Sequence, residues 1–323
     1  MKNLYNVLLY YCYTDIYKPD IFREKHHLFC IKNNLRGRVI ISKEGINGTV
    51  SGKKKDCKEY MKNLKSDKRF KNIEFKIDNS SNHVFKKLNV RLKDEIVNSG
   101  IKKINPNKIS GKYIEPKEFR KILNKNLKDT IVLDVRSNYE HSVGKFKNAM
   151  TMDIDNFRNF QMGVKDIEAK LKNKKIITYC TGGVKCEKAS GYLLKKGFKN
   201  VYQLHGGIIK YGLEEGGENF DGKCYVFDNR ITLNVNKINP SVIGNCFITE
   251  EPTNRMINCA NPECNIHVPM SENGAKKFNG CCSKSCMDNQ KARTYDGTGY
   301  YQKRINGYNP YIGYRNKSRT KQD

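Results

Sequence analysis

Lys175-Ile-Ile-Thr-Tyr-Cys180-Thr-Gly-Gly-Val-Lys-Cys186-Glu-Lys-Ala-Ser190 is the stretch of sequence from which the fold of this chain is best inferred. Residues 176–179 have strand character and run directly into Cys180, a glycine pair and a helix-like segment at 186–196. A turn from strand to helix of this kind aims backbone N–H groups into a small bowl, to which the helix dipole adds partial positive charge. Because both effects favour thiolate over thiol, Cys180 is predicted to be a reactive nucleophile.

Strands on both sides of this stretch predict a parallel sheet. Upstream, 130–134 reads as a strand that ends in Asp134, and a polar helix start and a glycine turn follow it. Downstream, 200–204 is another strand, followed by His205-Gly206-Gly207 and a short helix. Strands that alternate with helices imply an α/β fold, whose functional loops lie at the carboxyl ends of the strands. Asp134 and Cys180 both occupy such ends.

The residues that follow Cys180 are assigned to the bowl itself. They are Thr181, Gly182, Gly183, Val184 and Lys185. The glycines let the backbone curl closely around an anion, and Lys185 is expected to stabilise the thiolate. Asp134 and Arg136 are expected to fix the geometry of the bowl through hydrogen bonds. A lone cysteine after a strand is more often a small buried residue, but the Cys-Thr-Gly-Gly turn favours function over packing.

The residue six positions after Cys180 separates two kinds of cysteine chemistry. Cysteine phosphatases with a related bowl need an arginine there, because its fork of donors holds a phosphate in bidentate fashion. Position 186 is a cysteine here, and Lys185 offers only a point charge. Sulfur chemistry is therefore favoured over phosphoryl transfer.

The first hundred residues predict a small α+β unit. Strands and helices follow one another in the order β-α-β-β-α-β, which is the ferredoxin-like pattern. A tight hairpin is predicted at 43–48, Lys-Glu-Gly-Ile-Asn-Gly, and turn chemistry alone explains its glycines.

Composition and charge restrict the class of partner without deciding it. The chain of 323 residues carries a formal net charge of +28, which suits a polyanion such as nucleic acid. A drift toward A/T-rich codons would give the same excess of lysine and asparagine. The basic, Tyr-rich tail at 291–323 suits contact with unpaired bases and is equally typical of a disordered tail. No run reaches the length of a membrane span, and the apolar start lacks a small-residue cleavage site, which predicts a cytoplasmic protein.

Residues 125–220 resemble a rhodanese domain. The motifs that carry the resemblance appear in the expected order: Leu-Asp-Val-Arg at 133–136, Tyr-Glu at 139–140, Gly-Lys-Phe at 144–146 and Cys-Thr-Gly-Gly at 180–183. The resemblance implies that Cys180 occupies the position that carries a persulfide in sulfurtransferases.

The longer string at 180–190, the hairpin motif at 43–48 and the Cys-rich C-terminal segment are together similar to the rhodanese-containing tRNA uridine hydroxylases, over residues 1–290. This resemblance implies an oxidoreductase that converts the wobble uridine of tRNA to 5-hydroxyuridine. It implies dioxygen as co-substrate and the anticodon region of tRNA as partner. It also makes the hairpin at 43–48 a candidate substrate-facing loop. No flavin or haem motif is evident, and the sequence indicates no protein partner. A rhodanese-type sulfurtransferase and a non-catalytic RNA-binding protein are the alternatives.

A cluster of cysteines near the C-terminus indicates metal ligands. Six of the twelve cysteines lie between positions 246 and 286, and in a cytoplasmic protein such a cluster is more typical of metal or reactive thiols than of disulfides. The resemblance implies four Cys pairs here, of which the partner of Cys246 and the third pair are missing. One zinc site is therefore expected to be lost and one to remain, with Cys281 as a substitute ligand. The four ligands expected for that site are Cys259, Cys264, Cys282 and Cys286. A metal-free, reduced module is the alternative.

The chain is thus predicted to be a multidomain protein of mixed α/β and α+β class. Its parts are a ferredoxin-like (acylphosphatase-like) α+β domain at 1–100, a linker and lead-in helix at 101–124, a rhodanese-like parallel α/β domain at 125–220, a Cys-rich C-terminal module at 221–290 and the tail at 291–323.

Overall fold

The computed structural model describes residues 4–101, 104–125 and 128–297, which fall into two compact units. The first unit contains the described residues up to Gly111 together with Val184–Gly197. The second unit contains the described residues of Lys112–Gly183 and those from Phe198 onward. Residues 298–323 of the predicted tail at 291–323 lie outside the described residues.

The N-terminal part of the first unit has the ferredoxin-like order predicted from the sequence. Its elements are β1 (Tyr5–Tyr13), α1 (Pro19–Lys32), β2 (Arg36–Ser42), β3 (Gly45–Lys53), α2 (Lys54–Ser66), β4 (Lys76–Ser80) and β5 (Leu88–Leu92). The strands form one sheet in the order β4-β1-β3-β2-β5. Strand β5 pairs parallel with β2, and the other neighbours pair antiparallel. The fifth strand therefore extends the four-stranded pattern at one edge.

Two hydrophobic periodicities explain why these residues form these elements. In β2, Gly37 and Val39 are buried while Arg38 between them is exposed, which is the period-two alternation of a strand with one face on the core. In α2, the buried side chains recur at helical spacing and form one apolar stripe. They are Cys57, Tyr60 and Leu64.

The second unit is built on a parallel sheet, as predicted for a rhodanese-like fold. The elements of this stretch of chain are β6 (Lys112–Ile114), α3 (Pro116–Lys125), β7 (Thr130–Asp134), α4 (Asn138–His141), β8 (Gly144–Phe146), α5 (Phe160–Leu171), β9 (Lys175–Tyr179), α6 (Val184–Lys195), β10 (Val201–Leu204) and α7 (Gly207–Glu215). The strands are ordered β6-β10-β9-β7, and all neighbours are parallel. Strand β6 lies within residues 101–124, the stretch expected to be a linker and lead-in helix. Its three residues form a strand there because they pair with β10. Helix α6 groups with the first unit.

An aromatic cluster around Phe146 forms part of the core of the second unit. Its ring makes edge-on contacts with four others at centroid distances of 4.8–5.2 Å, the geometry that aromatic quadrupoles favour. The four partners are Phe119, Tyr179, Tyr211 and Phe220. Because Tyr179 is the last residue of β9, this core fixes the strand that leads into Cys180.

Short strands and helices complete the second unit. They are β11 (Phe220–Gly222), β12 (Cys224–Tyr225), β13 (Thr232–Leu233), β14 (Met256–Asn258), β15 (His267–Pro269), α8 (Glu272–Lys277) and α9 (Lys284–Met287). Strand β11 pairs with β8, and β14 pairs with β15 as a hairpin. Around this hairpin, Ile257 and Val268 share a buried core with the C-terminal cysteines. Among the described residues, the helices are too short or too polar to cross a membrane.

Candidate active site and metal centre

Cys180 lies immediately after β9, at the carboxyl end of an interior strand of the parallel sheet. Its side chain is buried, with 1% of the residue exposed. The backbone N–H of Gly183 donates a hydrogen bond to its Sγ at 3.2 Å. An N–H group aimed at sulfur stabilises the thiolate relative to the thiol. The loop therefore has the geometry expected of a support for a reactive sulfur.

The first residues of α7 are hydrogen-bonded to the same loop. The N–H groups of Ile208 and Ile209 donate to the carbonyl oxygens of Cys180 and Thr181, both at 3.0 Å. Gly207 has a φ of 67°, and a Cβ atom there would lie 2.4 Å from the carbonyl oxygen of Cys180. Only glycine fits this conformation and this approach. This contact was not predicted from the sequence, although the doubled glycine after the neighbouring strand was the available signal.

Asp134 and Arg136 form a buried ion pair next to the strand that carries Cys180. Arg136 Nη2 lies 2.6 Å from Asp134 Oδ2, and neither side chain is exposed. The Tyr179 hydroxyl donates to the same carboxylate oxygen at 2.6 Å. The N–H of Val135 donates to the carbonyl oxygen of Tyr179 at 3.1 Å. The ion pair therefore acts on the loop through Tyr179, the residue that precedes Cys180.

Burial and charge act in opposite directions on this pair. Burial raises the pKa of Asp134, but the charge and hydrogen bonds of Arg136 outweigh it, so that the pKa of the carboxyl lies below its ordinary value. Burial and the nearby Asp134 charge raise the pKa of the Tyr179 hydroxyl. At neutral pH the carboxylate is therefore ionised and the phenol protonated, which is the state that the hydrogen bond between them requires.

The five residues assigned to the bowl belong to two different units, and the boundary falls after Gly183. Thr181 donates through Oγ1 to the carbonyl oxygen of Tyr225 at 3.4 Å, and with Gly182 and Gly183 it belongs to the second unit. Val184 and Lys185 are the first residues of α6, which begins two positions earlier than expected. They belong to the first unit and lie at the positive end of the helix dipole.

Within the first unit, Lys188 of α6 lies between two carboxylates. Its side chain is 3% exposed, and its Nζ lies 2.7 Å from Glu44 Oε2 and 2.8 Å from Glu95 Oε1. Glu44 also accepts a hydrogen bond from the N–H of Ile96 at 2.9 Å. Glu95 accepts from the N–H and the hydroxyl of Ser99, at 2.9 and 2.6 Å. The result is an ion cluster whose charges are paired and hydrogen-bonded.

The hairpin at 43–48, predicted to face the substrate, contributes to this ion cluster within the first unit. Glu44 at its turn contacts Lys188, and Asn47 donates through Nδ2 to the carbonyl oxygen of Ile96 at 2.9 Å. Strand β1 also contacts α6 within this unit: the Tyr11 hydroxyl donates to Glu187 Oε1 at 2.8 Å. The cluster was not predicted from the sequence, because Lys188 and Glu95 are 93 positions apart and no local pattern connects them.

Four cysteines of the C-terminal segment come together as predicted, and the cluster can hold a metal ion. The sulfur atoms of Cys259, Cys264, Cys282 and Cys286 all lie within 4.8 Å of one another. Two of the separations are 3.6 Å, from Cys264 to Cys282, and 3.7 Å, from Cys282 to Cys286. Zinc–sulfur bonds of about 2.3 Å in tetrahedral geometry separate the sulfurs by about 3.8 Å, so the cluster fits such an ion. Among the described residues, the group consists of these four without Cys281.

Cys246 lies in a different environment. The N–H of Thr249, at the position where a paired cysteine was expected, donates to Cys246 Sγ at 3.4 Å. Burial raises the pKa of the Cys246 thiol, but hydrogen bonds from Ser271 and Thr249 outweigh it and lower the pKa to about 7. Hydroxyl and amide donors therefore surround this thiol.

A parallel sheet with a cysteine in a glycine-rich loop at the end of an interior strand defines a rhodanese-like domain. In agreement, residues 115–214 match the family described as rhodanese-like domain. Residues 5–96 match the family described as UPF0176 acylphosphatase like domain, and residues 221–287 match the rhodanase C-terminal family.

Relatives that span most of the chain carry one shared name. A tRNA uridine(34) hydroxylase of Cytophaga hutchinsonii is 55% identical over 308 residues, which cover 95% of this chain and 98% of that protein. Proteins with the same name in Bacillus licheniformis and Staphylococcus epidermidis are 48% and 44% identical, over 88% and 94% of this chain and 89% and 97% of their own. The chain belongs to the tRNA uridine(34) hydroxylase family, a family of oxidoreductases.

Proposed function

We propose that this protein hydroxylates the wobble uridine of tRNA to 5-hydroxyuridine, with Cys180 as its reactive group. The observation that carries the proposal is the position of Cys180 at the end of β9, with the Gly183 N–H aimed at its sulfur. This site lies in a chain that is 55% identical to a protein named tRNA uridine(34) hydroxylase.

In this proposal the thiolate of Cys180 is the nucleophile. A persulfide would form on it by attack on the sulfane sulfur of a donor such as thiosulfate, with sulfite leaving as the S–S bond breaks. Another oxidised sulfur state would need dioxygen, the co-substrate, as its oxidant. The loop from Thr181 to Gly183 supplies N–H groups that stabilise the anionic sulfur, and the Gly183 N–H donates to it. Asp134 and Arg136 are positioning residues, because their hydrogen bonds hold Tyr179 next to Cys180. Dioxygen is the co-substrate, the anticodon region of tRNA is the partner, and the reaction takes place in the cytoplasm.

The four-cysteine cluster is proposed to hold a structural zinc ion. A site in which four protein sulfurs complete the tetrahedron leaves no coordination position for water or substrate, which is typical of structural rather than catalytic zinc. The ion would tie the β14–β15 hairpin to α9, since Cys259 follows β14 and Cys286 lies in α9. Its contribution would be to the folding of this segment.

The experiment that tests the function is nucleoside mass spectrometry of tRNA from cells that lack this protein. We expect 5-hydroxyuridine and its derivatives to disappear, wild-type protein to restore them and Cys180→Ser to fail. Cys12→Ser is the matched control, because Cys12 is a free thiol of the first unit outside the site, and it should restore them fully. Restoration by Cys180→Ser would overturn the role of Cys180, and tRNA that stays unchanged would overturn the function.

The rhodanese-like loop also supports a second candidate, a sulfurtransferase that carries a persulfide on Cys180. Such an enzyme would need the loop around Cys180 but not tRNA. Thiosulfate turnover by the full-length chain, lost in Cys180→Ser and accompanied by unchanged tRNA in deleted cells, would favour this candidate over the hydroxylase.

A further inference from the structure

The carboxyl ends of three adjacent strands place an aromatic and acidic group beside the reactive cysteine. The registers pair Gln203 of β10 with Tyr113 of β6 on one side and with Thr178 of β9 on the other. Two residues further along the chain, directly after the end of each strand, come Glu115, His205 and Cys180. Neighbouring strands lie about 4.8 Å apart, so β6 lies roughly 10 Å from β9. These three residues therefore occupy equivalent positions along one edge of the sheet.

Tyr113 and His205 place their rings together at this edge. The ring centroids are 4.7 Å apart and the planes are inclined at 38°. Tyr113 is 50% exposed and the side chain of His205 is 28% exposed, so the pair presents aromatic surface to solvent. Both belong to the second unit, as does Cys180.

The orientation of the His205 ring is fixed by polar neighbours. Glu115 Oε1 lies 2.7 Å from His205 Nδ1, which donates to the carboxylate when it carries the proton. Lys210 Nζ lies 3.3 Å from the other carboxylate oxygen, Oε2. A ring held in this way loses little conformational entropy when a ligand stacks on the pair.

We propose that Tyr113 and His205 form a stacking platform for an unpaired base of the anticodon loop, next to the uridine that the enzyme hydroxylates. The proposal rests on the proposed function and extends it to recognition. Aromatic faces stack on nucleobases whatever their identity, and proteins recognise single-stranded RNA loops largely in this way. Because Lys210 pairs with the Glu115 carboxylate, the half-exposed ring of Tyr113 is the main surface offered here, and such a surface favours the face of a base. A sulfurtransferase with a small anionic substrate would have no use for such a platform.

The test compares variants of the full-length protein in tRNA binding and in steady-state hydroxylation. Removing one stacking ring in Tyr113→Ala should raise both the Kd and the KM for tRNA about tenfold. The kcat should stay within about twofold, because the lost interaction is made equally before and during the reaction. Tyr113→Phe keeps the ring and should behave as wild type. Tyr113→Thr keeps a strand-forming residue and should match the alanine variant.

Two further measurements distinguish base stacking from a phosphate contact and from a general effect of losing an exposed tyrosine. Tyr17→Ala is the matched control, since Tyr17 is a 91% exposed tyrosine of the first unit, and it should leave the Kd unchanged. The slope of log Kd against log salt should be the same for Tyr113→Ala and wild type, because no phosphate contact is removed.

An unchanged Kd and KM in Tyr113→Ala would overturn the platform, and so would a Tyr113→Phe variant as weak as the alanine variant. A changed salt slope would overturn stacking in favour of a phosphate contact. A wild-type protein that binds tRNA but does not hydroxylate it would refute the proposed function. The Kd values of the variants would still show whether Tyr113 and His205 form a stacking platform.

Discussion

The Tyr179 hydroxyl donates a 2.6 Å hydrogen bond to Asp134 Oδ2, which joins the ends of two adjacent strands one residue before Cys180. The same carboxylate pairs with Arg136. The buried carboxylate of Asp134 therefore holds Tyr179, the residue that precedes the reactive loop. A substitution of Asp134 is therefore expected to disturb both Arg136 and Tyr179.

Replacing Asp134 by asparagine leaves the guanidinium of Arg136 buried without its counter-charge. Breaking a buried ion pair by removing one partner costs about 3–5 kcal/mol of unfolding free energy. We expect Asp134→Asn to lose that much in urea denaturation followed by circular dichroism. Asp129→Asn, which removes an 88% exposed partner of Lys174, is the control and should unfold as wild type does. Equal unfolding midpoints for both variants would refute the role of the buried pair.

Gly207→Ala should disable the site more than it destabilises the fold. A Cβ atom at Gly207 would lie 2.4 Å from the Cys180 carbonyl oxygen and 2.9 Å from that of Thr181, so the loop must move. A displacement of about 1 Å in a catalytic group costs about 100-fold in rate. The readout is tRNA hydroxylation in complemented cells or with purified enzyme.

Gly197→Ala is the matched control for Gly207→Ala. Gly197 also has a positive φ, of 96°, but a Cβ atom there would meet nothing within 4 Å. It should therefore carry the backbone strain without the steric contact, and lose stability while keeping activity. Equal loss of activity in the two variants would show that backbone strain alone explains the effect.

Lys188→Met should destabilise the first unit, because the carboxylates of Glu44 and Glu95 lose their shared cation. The expected cost is about 3 kcal/mol in urea denaturation. A triple variant with Glu44→Gln and Glu95→Gln removes the charges as well and should recover at least half of the loss, since neutral groups of similar shape replace a buried ion cluster at little cost. A triple variant no more stable than the single one would contradict this account.

The contribution of Glu95 should depend on pH in a defined direction. Burial raises the pKa of this carboxyl, but hydrogen bonds from Lys188 and Ser99 outweigh it and hold the pKa below its ordinary value. A depressed folded-state pKa stabilises the fold above the unfolded pKa and loses that effect as pH falls through the folded value. The stability difference between wild type and Glu95→Gln should be full at pH 7 and should shrink below about pH 4. A difference that stays constant from pH 7 to pH 3 would contradict the assignment.

The zinc proposal predicts a difference between two cysteines of the same segment. Purified wild-type protein should retain about one zinc ion per chain after dialysis, as measured by elemental mass spectrometry. Cys264→Ser removes one of the four grouped sulfurs and should lose the ion, together with the folding free energy that it supplies. Cys246→Ser should keep the ion. Folded wild-type protein without metal would eliminate the zinc site.

Much of the fold follows from local patterns in the sequence. Alternating hydrophobic residues and turn signals predicted the ferredoxin-like sheet, and the strand that leads into Cys180 predicted the parallel sheet of the second unit. The spacing of Cys259, Cys264, Cys282 and Cys286 likewise anticipated their grouping. In each case the information lies within a short segment or within a motif of fixed spacing.

The remaining features depend on contacts between distant segments. The ion cluster of Lys188 with Glu44 and Glu95 joins three separate parts of the chain, and no periodicity predicts which lysine is buried. Tyr113 belongs to a three-residue strand, β6, in a stretch that reads as linker because it is rich in turn-forming residues. A short edge strand becomes recognisable only when its partner, β10, is in place.

The membership of α6 in the first unit has a consequence for how this chain folds during synthesis. Domains generally fold as units, with the N-terminal one first as it leaves the ribosome. Here the first unit contains residues up to Gly111 and also α6, so its final helix is made only after β6, β7 and β9 of the second unit. Neither unit is a single continuous segment, and their folding must be nested rather than sequential. A fragment that begins at residue 112 would carry Lys188 without Glu44 or Glu95, which makes the isolated central segment an unreliable substitute for the whole chain.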